Sequence, residues 1–185
     1  MNAPVSNVPA PWPGRDDPRP RCYSRVDPDY RVVSIEWIEL PRACELSLRE
    51  LERAYFAWVP RISAGAVRPS WKGPEGPLHL ELQPWGWPQA IRLAPAEETP
   101  TQLKRAIEGG LLAHPGGYLA FSQHRDGARV QLVVALVDFR PRLPRWLYLP
   151  TQRRLHVRST YAFLREVTRR MRLGRPQPPG IPGLR

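Results

Sequence analysis

His156 and Thr160 are the residues whose type and position come closest to chemistry in this chain. They lie four apart in residues 151–172, which read as one long helix entered at Pro150. At 3.6 residues per turn both fall on its apolar side, with Val157, Leu164, Val167 and Met171, and with Phe163 at the edge. An imidazole and a hydroxyl under a helix can hydrogen-bond a ligand, and the imidazole can act as general acid or base. The same pair has a structural reading: a satisfied core histidine, and a threonine bonded back to a helix carbonyl. On the opposite side Arg154, Arg158, Arg165, Arg169 and Arg172 form a narrow stripe. That stripe reads as a solvated face, as a contact for an anionic membrane surface, or as a contact for nucleic-acid phosphates. The membrane reading lacks the Trp and bulky Leu that interfacial helices bury, and the nucleic-acid reading lacks a zinc finger or RNP motif.

Other chemistry is sparse. The histidines at 79, 114, 124 and 156 have no HExxH or other metal spacing, and Cys22 and Cys44 form no CxxC, so no metal is expected. There is no GxxxxGK[ST] phosphate loop and no GxSxG elbow, and no cofactor is expected. Glu97-Glu98 sits in a polar loop and reads as solvated. No catalytic constellation is recognisable. A cyclase or aromatase needs only one or two polar groups in a cavity, so enzyme activity stays open.

The elements that must position these residues follow from composition and periodicity. The chain of 185 residues suits one domain. Seven of its 24 Pro fall in residues 1–30 and four in 174–185, so both ends read as disordered tails around a folded domain at 31–173. The formal net charge is +11, and residues 140–175 hold eleven Arg against the single acid Glu166. A GC-rich genome would explain the choice of Arg over Lys, but not its concentration in one segment. No apolar run approaches a membrane span and the start shows no signal peptide, so a cytoplasmic protein is expected.

In residues 31–40, Val33, Ile35 and Trp37 alternate with Ser34 and Glu36, the period of a half-buried strand. Ser47 and Glu50 spell a capping box, with Leu46 and Leu51 placed as a hydrophobic staple. The helix they open is predicted to run to Val59 and stop at Pro60. Its face of Leu48, Leu51, Tyr55 and Trp58 suits core packing or a ligand. Leu78, Leu80 and Leu82 mark a strand, residues 84–88 a turn with Trp85 and Trp87 exposed or pocket-facing, and Ile91 and Leu93 a second strand. Residues 99–113 fit a helix by propensity, while Leu103, Arg105 and Ile107 also alternate. Residues 117–125 and 128–139 flank Asp126-Gly127, a dipeptide that favours a type I′ hairpin turn.

The order strand, helix, several antiparallel strands and long C-terminal helix resembles the helix-grip arrangement of the START-like superfamily, also called SRPBCC. That superfamily includes the birch-pollen-allergen and polyketide cyclase types. The local match is Gly116-Gly117-Tyr118-Leu119-Ala120-Phe121, the Asp126-Gly127 hairpin, then Phe139-Arg140-Pro141 and Leu147-Tyr148. The resemblance implies an α+β fold: a curved antiparallel sheet wrapped around the C-terminal helix, with a short helix after the first strand. It favours a strand with a glycine bend at 99–113. It also implies a cavity for a hydrophobic or amphipathic small molecule, lipid or polyketide-like, in a binding or carrier protein. The candidate ligand contacts are Tyr55, Trp58, Trp85, Tyr118, His156, Thr160 and Leu164. Two alternatives stand beside it. One is a cyclase or dehydratase on the same fold, using His156; the other is a basic protein that meets anionic lipid or nucleic acid through the Arg stripe.

Overall fold

The chain begins its sheet earlier than composition suggests. A computed structural model describes residues 19–41, 46–73, 75–83, 87–150 and 154–172. Strand β1 (Arg21–Val26) pairs antiparallel with β2 (Val32–Pro41), so the expected tail at 1–30 already contributes an edge strand. Pro18 and Pro20 stop just short of it, and β1 itself contains no proline to remove a ladder donor. The tails at 1–18 and 173–185 lie outside the described residues.

Helix α1 (Leu48–Ile62) starts as its sequence demands. The Ser47 hydroxyl accepts from the Glu50 amide at 3.2 Å, and the Glu50 carboxylate accepts from the Ser47 amide at 2.9 Å. It does not stop at Pro60. Proline removes one amide donor, and in the last turn the helix still closes with the Ser63 amide donating to the Val59 carbonyl at 3.1 Å. Strands β3 (Val67–Trp71), β4 (Leu78–Leu82), β5 (Trp87–Leu93), the two-residue β6 (Glu97–Glu98), β7 (Gln102–Gly109), β8 (Tyr118–Asp126) and β9 (Arg129–Phe139) follow. Then come the single turn α2 (Arg145–Tyr148) and α3 (Arg154–Arg172).

The strands form an antiparallel sheet in the order β1-β2-β9-β8-β7-β5-β4-β3, with β6 beside β7. Register shifts in β2, β4 and β5 bend it, as bulges do. Both long helices pack on the same face. This is the helix-grip fold, with α3 laid across β1 and β2 and α1 against β3, β7 and β8. No described helix is long and apolar enough to cross a membrane.

Three local features differ from expectation or decide between alternatives. Residues 102–109 are a strand: Leu103, Arg105, Ile107 and Gly109 are buried at every second position, and Gly109 (φ +105°) and Gly110 (φ +145°) make the bend. The hairpin pairs Asp126 with Arg129, so its two loop residues are Gly127 and Ala128. Only Gly127 has a positive φ, whereas a type I′ turn needs two. In β2 the buried side is the one sequence alternation marks as polar. Val32, Ser34, Glu36, Ile38 and Leu40 point inward, while on the other side Ile35 is buried and Val33 and Trp37 are half-buried. A strand's two faces differ by one residue of register, so hydrophobicity alone chose the wrong one here.

The core also holds a charge pair. Arg105 of β7 and Glu52 of α1 are both fully buried, and Arg105 Nε–H donates to the Glu52 carboxylate. Arg105 Nη1–H donates to the Gly76 carbonyl at 2.9 Å and the Ala94 carbonyl at 2.8 Å, and the guanidinium stacks 5.0 Å from the Trp71 ring centroid. Removing one partner of such a pair strands the other charge. Glu52→Ala is therefore expected to cost about 3–5 kcal/mol in urea unfolding, and the double variant Glu52→Leu/Arg105→Met much less. Equal losses in both would refute an unpaired charge as the cause.

Candidate functional site

The two helices do not cover the sheet completely. A partly open cavity of about 160 Å³ remains among α1, the sheet and the N-terminal end of α3. Tyr55, Phe56, Val59 and Ile62 of α1 form one wall. Leu80, Ile91, Leu93, Ile107, Leu119 and Leu136 form the sheet floor. Leu112, Phe139 and Tyr148 close one end, and His156 and Ser159 of α3 complete the lining.

Within this lining, His156 is the polar group without an internal partner. The residue as a whole is half-buried, but its Nε2 is shut off from solvent and has no hydrogen-bond partner. Burial pushes its pKa down from 6.5 to about 4, so the imidazole is neutral at pH 7. Tyr55 is buried and partnered: its hydroxyl lies 3.3 Å from Thr160 Oγ1, linking α1 to α3. Burial raises the Tyr55 phenol to about 12, so it stays protonated. Its ring meets Phe121 and Phe163 edge-on, both at 5.4 Å between centroids.

The predicted ligand contacts therefore separate. Tyr55 and His156 line the cavity. Thr160 is fully buried and bonds Tyr55 rather than a helix carbonyl, and Leu164 is fully buried core. Trp58 is half-buried beside Arg61, whose guanidinium lies 6.0 Å from its ring centroid, and does not line the cavity. Tyr118 lies outside it too, with Lys104 Nζ 5.4 Å from its ring centroid. Trp85 lies outside the described residues. Of the Arg stripe, Arg154, Arg158, Arg165 and Arg169 are exposed, and the Arg172 side chain lies outside the described residues. Arg169 and Arg170 both bond Glu166, at 2.7 and 2.8 Å, which holds that carboxyl down at about 2. Arg154 and Arg158 line an open groove with Cys22 and Ser24.

Sequence reasoning missed a second buried acid. Glu36 is fully buried on the inner face of β2 and accepts from the Ser34 hydroxyl at 2.6 Å and the Cys22 thiol at 3.6 Å. Burial raises its pKa from 4.5 to about 7, against the lowering effect of those two bonds, and its Oε2 has no partner. The polar run Ser34-x-Glu36 facing Cys22 and Ser24 across the β1–β2 ladder was the available signal. Among the described residues no cluster of His, Cys, Asp or Glu could hold a metal ion.

The architecture is thus a helix grip around a partly open apolar cavity with one orphaned imidazole nitrogen in its lining. No protein-family model matches the sequence. No curated protein matches it. Among solved structures the chain is similar to a START superfamily protein from Mycobacterium smegmatis, at 13% identity and a TM-score of 0.44, over 74% of this chain and 99% of that one. It is also similar to CalU16 from Micromonospora echinospora, at 11% identity and a TM-score of 0.34, over 85% and 93%.

His156 and Glu36 pull the pH profile of stability in opposite directions. A His with a lowered folded pKa stabilises fully above pH 6.5, and that contribution is lost as pH falls toward 4. A Glu with a raised folded pKa stabilises below pH 4.5, and that contribution is lost as pH rises through 7. His156→Phe should flatten the acid side and Glu36→Gln the neutral side, each by roughly 3 kcal/mol at most. Urea unfolding at several pH values reads both effects. An NMR titration placing His156 near 6.5 would overturn its assignment as a buried neutral ring.

Proposed function

We propose that the protein binds a small, mostly apolar molecule carrying one neutral hydrogen-bonding group, held in the cavity with that group on His156 Nε2. The observation that carries this is a mostly apolar cavity with one buried, unpartnered polar atom among its lining residues. A buried polar group left unsatisfied costs about 1–3 kcal/mol, which a bound hydroxyl or carbonyl would recover. A carboxylate ligand is disfavoured, because the neutral imidazole offers no charge to offset its desolvation.

Volume limits the ligand. Apolar cavities of about 150 Å³ stay dry and accept a benzene-sized guest. At about 160 Å³ this cavity suits a single ring or a short branched chain, and a larger lipid or polyketide-like compound would require α1 and α3 to separate. Tyr55 would stack against the guest while its hydroxyl stays on Thr160. An enzymatic reading uses the same atoms, but an imidazole held at about 4 is a weak general base at pH 7, which favours the binding reading.

Calorimetry with toluene and phenol tests the proposal. Phenol should bind roughly tenfold more tightly than toluene, the worth of one hydrogen bond. His156→Phe should erase that preference, and Ile91→Trp, which fills the cavity from β5, should abolish binding of both. Failure of either guest to bind, with the fold intact by circular dichroism, would sink it. Mass spectrometry of compound co-extracted with the protein separates the roles: a ligand recovered unchanged after incubation marks a carrier, and a chemically altered one marks an enzyme.

A further inference from the structure

Where the edge strand β1 meets α3, an open groove of about 820 Å³ remains. Cys22 and Ser24 of β1 line it together with Arg154, Val157 and Arg158 of α3. Arg154 and Arg158 are four residues apart, so their side chains share one face of the helix. Both are exposed, and no acid among the described residues pairs with either. Two guanidinium groups on one groove suit a ligand that carries carboxylates, which arginine takes in bidentate fashion. The groove volume lies in the range that holds a small molecule.

The Cys22 side chain is exposed, and it has a carboxyl beneath it. Cys22 stands opposite Glu36 in the β1–β2 ladder, and its thiol donates to Glu36 Oε1 at 3.6 Å. The same oxygen accepts from the Ser34 hydroxyl at 2.6 Å, while Glu36 Oε2 has no partner. Glu36 is fully buried. A glutamine would fill this place without the cost of burying an ionisable group, so packing does not account for the acid. A thiol needs a base to take its proton and positive charge to favour its thiolate. Glu36 supplies the first from below, and Arg154 and Arg158 line the same groove with the second.

We propose that Cys22 is a modification site that reacts with a small anionic disulfide, a low-molecular-weight compound bearing carboxylates, bound in the groove between β1 and α3. The Cys22 sulfur attacks one sulfur of that disulfide, whose S–S bond breaks as the mixed disulfide forms. The Cys22 proton passes to the Glu36 carboxylate. The displaced half leaves as a thiolate and takes a proton from water. The incoming disulfide is itself the oxidant, so the exchange balances without another electron acceptor. Arg154 and Arg158 hold the carboxylates of the half that stays. This site is independent of the apolar cavity and of its ligand.

The test compares three disulfides on the full chain: oxidised glutathione, which is anionic, hydroxyethyl disulfide, which is neutral, and cystamine, which is cationic. Mass spectrometry after digestion reads the adduct at Cys22 and, separately, at Cys44, the other cysteine of the chain. Each rate is divided by that of the urea-unfolded chain. Cys22 should then prefer oxidised glutathione over hydroxyethyl disulfide at least about tenfold, with cystamine slowest, and the gap should shrink between about 50 and about 500 mM salt. Arg154→Glu with Arg158→Glu should invert that order.

The rate at Cys22 should rise with pH through about 7, where Glu36 gives up its proton. In Glu36→Gln the rise should move to the ordinary thiol range, about 8.5, and the rate at pH 7 should fall about fivefold. The other groups near Glu36 do not titrate there. Tyr55 on α1 keeps its proton to about 12, Arg154 and Arg158 on α3 stay charged, and β9 presents Val134 opposite Glu36. Equal normalised rates for the three disulfides would mark an ordinary exposed thiol and overturn the proposal. So would an unchanged order in the double Arg variant, and a pH profile in Glu36→Gln identical to the parent's would remove Glu36 as the proton acceptor. Cys22→Ser should take no adduct at position 22 yet bind phenol like the parent, so this site and the cavity stand or fall separately.

Discussion

Arg105 holds in place the wall that makes a cavity possible. Its guanidinium reaches Glu52 on α1, the Gly76 carbonyl in the β3–β4 turn and the Ala94 carbonyl after β5, and stacks on Trp71 of β3. Three other segments, α1, β3 with its following turn, and the residues after β5, therefore meet on one side chain. A helix laid on a sheet by apolar contacts alone can slide, because dispersion is non-directional. A planar fork of donors cannot be satisfied after a shift of one residue. With α1 fixed at Glu52, Tyr55, Phe56, Val59 and Ile62 follow along the same helix as one side of the cavity. An apolar pair of equal volume could supply comparable stability, so position is the physical reason offered for the ion pair.

The remaining buried polar groups divide into satisfied and unsatisfied ones; Trp58 Nε1 and Arg105 Nη2, which do not line the cavity, are among the unsatisfied. Thr160 and Tyr55 satisfy each other where α1 meets α3, and Thr168 Oγ1 donates to the Leu164 carbonyl at 2.9 Å farther along α3. Gln123 donates to the Leu46 carbonyl just before α1. These bonds close regions where helix and sheet touch. The orphaned Nε2 of His156 belongs instead to a residue of the cavity lining. Glu36 lies between the extremes, with one oxygen bonded and one not, and its carboxyl takes the protonated form more readily than a surface acid.

Much of this fold was legible from local signals, and less of the site. Ser47 and Glu50 announced α1, and the face analysis of α3 put Val157, Thr160, Leu164 and Val167 on the packed side, because capping and helical period depend on near neighbours alone. Pro60 misled because its cost depends on position within the helix, and the last turn tolerates it. Arg105, Glu52 and Glu36 were not legible as core residues. A charged residue is solvated by default, and only a partner brought from about 53 positions away, as Glu52 is for Arg105, makes burial tolerable. The phase of β2 failed for a related reason: polar Ser34 and Glu36 face inward because they bond each other. The tail estimate for residues 1–30 failed because a short edge strand needs little hydrophobicity once a partner ladder exists.

The same logic extends to the walls of the cavity. Each closed part of this core is sealed by a polar bond between elements: Arg105 to Glu52, Tyr55 to Thr160, Gln123 to Leu46. At the rim, residues 111–115 and 140–148 are joined through backbone groups at Leu112, Ala113, His114, Arg140 and Arg142. The Tyr30 hydroxyl adds one tether, donating to the Leu143 carbonyl at 2.8 Å, and its ring meets Tyr148 edge-on at 5.7 Å. The Leu111 and Leu112 amides donate to the Gln89 and Ala90 carbonyls of β5 at 3.2 and 2.9 Å, so the rim is pinned to the sheet as well as to itself. Two kinds of bond thus hold the cavity's walls: side chains fix α1 and α3 to each other and to the sheet, and backbone groups fix the rim to β5, which leaves the lining little freedom to collapse onto the empty volume.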